Sequence, residues 1–341
     1  TLSLTNSLAF HHLPDRDRDF GKIRVWGTIG WIVVGIGIGQ WLLHQHTPSG
    51  VEAEAVSAAQ AAGMADAFKI SGLLGIVMGI FCFFLPSTPP AKEEKKSAIG
   101  GALDAIRLQP LLTLFLIAVP ISCVHQFYFV HTAPFLGQFQ NQAEGFIDIV
   151  NKIVGVGGGG LMTIGQMAEI GVLAMIPLFT KKYSRKALLC VGISAYALRM
   201  FLFAYSPGFP EAAQLPAIIL GIAMHGLCFG CFIFVAFMVV DEECATDVRA
   251  SAQSLFNLVI VGIGIIVGSK VAGYVAEIST VNEVMNYQKL FSVPMWAALA
   301  CLVIMQLCYP NKPPVTAADG PSDKDADLDI DSDAASNNGE E

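Results

Sequence analysis

Apolar residues run along this chain in blocks too long for the core of a soluble domain, separated by short polar loops. A helix needs about 20 apolar residues to cross the hydrocarbon of a bilayer. Eight stretches meet that length: about 23–43, 67–86, 109–136, 157–180, 187–206, 214–239, 252–275 and 290–309. The segment before residue 13, ending in Leu8, Ala9 and Phe10, reads as the tail of one more. Eight complete spans place residue 14 and the C-terminus on the same side of the membrane. The pattern predicts an all-α polytopic membrane protein.

The loops assign that side. One set carries Arg16, Arg18, Lys22 and Arg24; Lys92, Lys95, Lys96 and Arg107; Lys181, Lys182, Arg185 and Lys186; Arg249; Lys312 and Lys324, while the opposite set holds only Lys152. Basic residues gather in cytoplasmic loops, so the first set is read as cytoplasmic. Within it, 87–108 contains Pro86's successor prolines Pro89 and Pro90 and the run Lys92-Glu93-Glu94-Lys95-Lys96. It is the longest charged linker between spans and the natural boundary of two bundles. The expected division is therefore a first bundle within 1–86, a linker at 87–108, six helices over 109–309 and a tail at 310–341. The external segment 44–66, Ala-rich with Glu52, Glu54 and Asp66, suggests a short surface helix.

Composition agrees. Hydrophobic residues make up 54% of the 341 and charged residues only 14%, against about 25% charged in soluble domains. The net charge of −8 is misleading, because nine acids and two lysines in 310–341 account for −7 of it. Such a tail is too polar to bury a core and is expected to be disordered. Its Asp325, Asp327 and Asp329 have the spacing that opens a calcium-binding EF-hand loop, but Ile330 and Ser336 stand where that loop needs glycine and glutamate. A solvated tail is the better reading. No basic stripe marks a nucleic-acid partner. The eight cysteines lie mostly in apolar runs and read as packing residues, and Cys228-x-x-Cys231 has no companion ligands for a metal.

Polar residues inside the spans are candidate functional groups, because burying them in lipid is costly. Glu169 lies midway along 157–180 and shares a helix face with Gln166 at a spacing of three. A carboxyl at that depth suits a proton-coupling group; the alternative is a structural carboxyl hydrogen-bonded between helices. Arg24, Thr28 and Trp31, at i, i+4 and i+7, form one stripe on the first span. It offers a guanidinium, a hydroxyl and a stacking face to a polar aromatic solute, although Arg24 reads equally well as an interfacial anchor. The third span carries His125, Gln126, Phe129 and His131 between Pro120 and Pro134, and the sixth carries His225 and Phe229. His125 alone is read as an interhelical hydrogen-bonding group before a relay. Arg199 and Lys270 are read as snorkelling to a nearby interface. The run Gly155 to Gly160 lacks the Gly-Lys-Ser/Thr of a phosphate loop and reads as a flexible lead-in to the fourth span. Gly35 with Gly39, and Gly264 with Gly268, have the spacing of close helix contacts.

Five segments together resemble the nucleoside:proton symporters of the major facilitator superfamily: Arg24-Val-Trp-Gly-Thr-Ile-Gly-Trp31, Thr163-Ile-Gly-Gln-Met-Ala-Glu169, Ile176-Pro-Leu-Phe, Leu198-Arg-Met-Phe-Leu-Phe-Ala-Tyr205 and Val248-Arg-Ala-Ser-Ala-Gln253. The resemblance runs to about residue 310. It implies two six-helix bundles and alternating access, with the first span here matching the family's fifth and earlier helices preceding Thr1. By position it implies a substrate site of Arg24, Thr28, Trp31, Gln126, Phe129, Gln166, His225 and Phe229, with Glu169 as the proton-coupling group. It also implies departures. Trp31 replaces a phenylalanine, Phe129 an asparagine and His225 a tyrosine, and Gly230 stands where the family has an aspartate associated with coupling.

The expected activity is secondary transport of nucleosides across the bacterial cytoplasmic membrane with protons as the coupling ion and no cofactor. The alternative is a transporter or exporter of another small polar solute without proton coupling. A membrane enzyme or receptor is the third reading, and it lacks a His-Glu-x-x-His, Gly-x-Ser-x-Gly or large external segment to support it.

Overall fold

A computed structural model of the chain describes residues 8, 12, 16–87, 98–142, 145–245 and 248–311. The tail with its calcium-like spacing and the Lys92–Lys96 run lie outside the described residues. The helices are α1 (Arg16–Gln45), α2 (Ala53–Cys82), α3 (Ala98–Ile106), α4 (Leu111–Gln142), α5 (Phe146–Val154), α6 (Gly159–Lys182), α7 (Arg185–Tyr205), α8 (Glu211–Leu227), α9 (Val235–Glu243), α10 (Arg249–Asn257), α11 (Gly264–Ser279) and α12 (Tyr287–Cys308). Wider π-helical turns at Cys228–Phe234 and Leu258–Ile263 join α8 to α9 and α10 to α11, so each pair forms one continuous span. A short hairpin, Thr280–Val281 with Val284–Met285, closes the turn between α11 and α12. Among the described residues, eight helical spans are long and apolar enough to cross a membrane, as the hydrophobic blocks predict.

One boundary differs. The external stretch after Gly50 does not form a separate surface helix; it runs without a break into the second span as α2. Alanine is the best helix former, and Pro48 and Gly50 end the disruption before Ala53, so nothing after that point interrupts the helix.

Among the described residues, the main buried apolar cluster begins at Ala102 and includes none from α1 or α2, although Leu42 of α1 is buried beside Gly63 and Gly157. Within it α7 packs on α8 and α12, α4 on α11 and α12, and α6 on α8. Small residues set these crossings. A Cβ at Gly264 would collide with Ser122, and one at Gly268 would sit 2.8 Å from Gln126 Cβ, so α11 and α4 meet backbone to backbone. Helix α1 joins through Gly35 and Gly39, where added Cβ atoms would lie 2.9 Å from Thr163 Cγ2 and 2.6 Å from the Val154 carbonyl oxygen.

The glycine run at 155–160 is not a loose lead-in. Gly155, Gly157 and Gly158 have φ near +80°, a region that glycine enters without steric cost. Val156 N donates to Gly39 O at 3.0 Å, and Gln140 binds both Gly155 O at 3.0 Å and Gly158 N at 2.7 Å. The run is a tied corner that α1 rests on. The cysteines are all unpaired, and Cys228 and Cys231 are buried among apolar neighbours as packing residues.

Candidate functional site

Thr28, His125, Glu169, Arg199 and His225 converge where α1, α4, α6, α7 and α8 meet, whereas His131 turns away to the Ala272 carbonyl oxygen of α11 at 3.2 Å. On α6, Gln166 and Glu169 are 4% and 6% exposed. They share a face because three residues advance a helix by nearly one turn. Gly165 and Gly226 let α8 approach that face closely: a Cβ at Gly226 would lie 2.6 Å from Ala168 C, and one at Gly165 would lie 2.9 Å from His225 Cβ. The approach brings His225 Nε2 to 3.5 Å from Glu169 Oε2. From α1, the Thr28 hydroxyl donates to Glu169 Oε1 at 3.5 Å. No other acidic side chain is buried among the described residues.

Around this pair lies an aromatic wall. The His225 ring stacks on Tyr128 at 5.1 Å and on His125 at 5.7 Å, and meets Phe129 edge-on at 6.1 Å. Phe229 tilts against it at 6.4 Å. Trp31 reaches Phe129 across the gap between α1 and α4 at 5.8 Å and stays 58% exposed. Phe129, Phe229 and Gln126 are half-buried. Gln126 packs its stem over Gly268 of α11, next to this wall in sequence but turned towards another helix. Arg24 lies on α1 two turns from Trp31, and its side chain is outside the described residues.

The structure adds three residues. The Tyr196 hydroxyl pairs with His125 Nδ1 at 2.7 Å. Arg199 is fully buried, not snorkelling: its guanidinium carbon lies 4.1 Å from the Tyr128 ring centre and 5.0 Å from that of Tyr196. Cation–π contacts of this kind hold a desolvated cation that would otherwise be expelled. The signal present in the sequence was Tyr196 at i−3 on the same helix face. Lys270, by contrast, is exposed, as snorkelling requires. Gly230 is buried against Val172, where a Cβ would lie 2.6 Å from Cγ1.

The cluster gathers aromatic rings, an amide and a carboxyl from α1, α4, α6 and α8, the groups that stack on and bond to a planar solute with polar edges. Polytopic helical transporters build their solute sites between helices from such groups. Residues 1–313 match the nucleoside H+ symporter family model, and the chain belongs to that family, with a major facilitator-type fold.

Relatives include, from Escherichia coli K12, a putative nucleoside transporter, YegT, at 31% identity over 81% of this chain. Xanthosine permease matches at 28% over 89%, and nucleoside permease NupG at 27% over 86%. The chain spans 60%, 69% and 66% of the lengths of these three relatives respectively. Crystal structures of the nucleoside transporter NupG superpose with a TM-score of 0.67: a point mutant at 25% identity, covering 89% of this chain and 72% of that one, and a second at 23%.

Proposed function

We propose that the protein carries nucleosides across the bacterial cytoplasmic membrane by alternating access, driven by proton symport. The observation that carries this reading is Glu169: a buried carboxyl held by Thr28 of α1 on one oxygen and facing His225 of α8 on the other. A group in that position senses both the proton and the relative placement of the helices. A carboxylate in a low-dielectric site needs its donors far more than a neutral carboxyl does. Protonation therefore loosens the Thr28 contact and favours the rearrangement that loads or releases solute.

In this reading Trp31, Phe129 and Phe229 stack on the base. Thr28 and Gln166 bond to its edges and to the sugar, His225 backs the stack with its ring, and Arg24 caps the stripe on α1; Gln126 joins them only if its amide turns from α11 towards the wall. The replacement of the family's asparagine by Phe129 and of its tyrosine by His225 argues for an altered base or sugar preference. The two bundles meet at the 87–108 linker, and the basic loops and acidic tail lie in the cytoplasm, as the fifteen-to-one loop asymmetry supports.

A reading without proton coupling draws on one observation. Gly230 leaves no room beside Val172 for a carboxylate at the family's aspartate position. The test is uptake of labelled uridine and adenosine into proteoliposomes with and without an inward proton gradient. Accumulation that collapses with the gradient supports symport, and equilibration that ignores it supports the second reading. Absence of both uptake and counterflow for every nucleoside removes the substrate assignment.

A further inference from the structure

Proton coupling through Glu169 leaves Arg199 unused. It sits in the second half of α7, fully buried, and its Nε and one terminal nitrogen have no acceptor among the described residues. Burying a cation in this way is costly, and packing alone would be served by leucine. Its one hydrogen bond joins NH1 to Nδ1 of His225 at 3.2 Å.

Arginine nitrogens only donate. Nδ1 of His225 must therefore be the acceptor, unprotonated, and the ring's proton must be on Nε2. That is the nitrogen 3.5 Å from Glu169 Oε2. We propose that Arg199 is a positioning residue for coupling: it locks His225 as the neutral Nε2–H tautomer and so aims a donor at one oxygen of Glu169. The inference rests on Glu169 being the group that carries the proton.

The consequence is an asymmetric carboxyl. Oε2 already faces the Nε2–H donor, so an arriving proton placed there would set two donors against each other. The proton is accepted on Oε1, the oxygen bonded by Thr28. The new O–H then donates where a carboxylate accepted, and the Thr28 hydroxyl must turn from donor to acceptor or let go. Protonation is thereby directed to the contact that ties α1 to α6. His225 does not hold the proton itself, because protonating Nδ1 would break its bond to Arg199 and place two cations in contact.

The surroundings are consistent with this division. Facing Arg199 and His225 are His125 and Tyr128 from α4, Tyr196 from α7, Glu169 from α6 and Cys228 from the turn after α8. Of these only Glu169 is an acid with an ordinary pKa near 4, and the His125 Nδ1 is occupied by Tyr196.

The experiment compares concentrative uridine uptake, its pH profile and uridine counterflow in proteoliposomes for wild type, Arg199→Gln, Arg199→Lys and Glu169→Gln. Arg199→Gln is expected to lose about tenfold or more in accumulation, the scale of a hydrogen bond to a charged group. Its pH profile should change, and counterflow should fall far less, because exchange needs no net proton movement. Arg199→Lys, which retains a cationic donor, should recover part of the loss. Parallel loss of uptake and counterflow with an unchanged pH profile would mean that Arg199 is merely structural, and would overturn the inference. If Glu169→Gln stays coupled, the coupling assignment of Glu169 falls instead.

A second measurement needs no Arg199 variant. Side-chain 15N spectra of the wild type, with His225 assigned by its absence in His225→Gln, should show bare Nδ1 and protonated Nε2 at neutral pH. The opposite tautomer or an imidazolium would refute the proposal even if Arg199→Gln failed to fold.

Discussion

Helices α2 and α4 are of similar length and both apolar enough to span a membrane, yet within this chain their surroundings are opposite. No residue in the most apolar stretch of α2 is buried, against 56% in that of α4. Within this chain, which spans 60% to 69% of the lengths of its relatives, the two differ in what their small residues meet. Glycines 72, 75 and 79 of α2 have nothing within 4 Å of an added Cβ, whereas Gly165 of α6, Gly221 and Gly226 of α8, and Gly268 of α11 mark crossings with other helices. Lipid is as apolar as leucine, so hydrophobicity drives a segment into the bilayer without choosing its neighbour. Close-packed small residues and matched polar groups make that choice. Helix α1 is intermediate: Gly35, Gly39 and Thr28 bind it to α6, and its Trp31 side stays open.

The sharpest way to break this comparison is at the polar bridge. Glu169→Gln removes the charge that links α1 to α6 and α8, and concentrative uptake in proteoliposomes should disappear altogether, with the remaining transport insensitive to the proton gradient. Next is the small-residue contact beneath it. Gly226→Leu forces α8 away from the Ala168 backbone, at a cost of about 3 kcal/mol or more for overpacking. Thermal unfolding followed by fluorescence-detected size exclusion should report a clear loss of stability, together with loss of uptake. Trp31→Ala removes one stacking face from the open side of α1. Uridine binding should weaken by about threefold to tenfold, the range of an aromatic pair, with little change in melting temperature. The smallest effect is expected on α2: Gly75→Leu meets no neighbour within this chain and should alter stability by no more than ~1 kcal/mol, the scale of the helix-propensity difference. A destabilisation there as large as that of Gly226→Leu would mean that the two regions do not differ as described.

Much of this architecture is readable without a structure. The eight spans follow from run length. The shared face of Gln166 and Glu169 follows from helical period, and the Gly35–Gly39 and Gly264–Gly268 contacts follow from spacing. These are local properties, in which a residue's role depends on others within two turns. Arg199 defeats that reasoning. Cationic side chains near a span's end ordinarily reach for water, and only the arrival of Tyr128 and His225 from other helices makes a buried position tenable. The glycine run at 155–160 fails in the same way. Its composition implies freedom, which Gln140 and Gly39, distant in sequence, remove.

By itself the sequence determined that the chain enters a membrane, how often it crosses, and which faces of its helices carry polar groups, because apolar length and helical period act along a single segment. The tertiary structure alone decided that Thr28, Glu169, His225 and Arg199, spread over four helices, form one connected line. Hydrogen bonds act over about 3 Å, and only packing can bring residues more than a hundred positions apart within that distance.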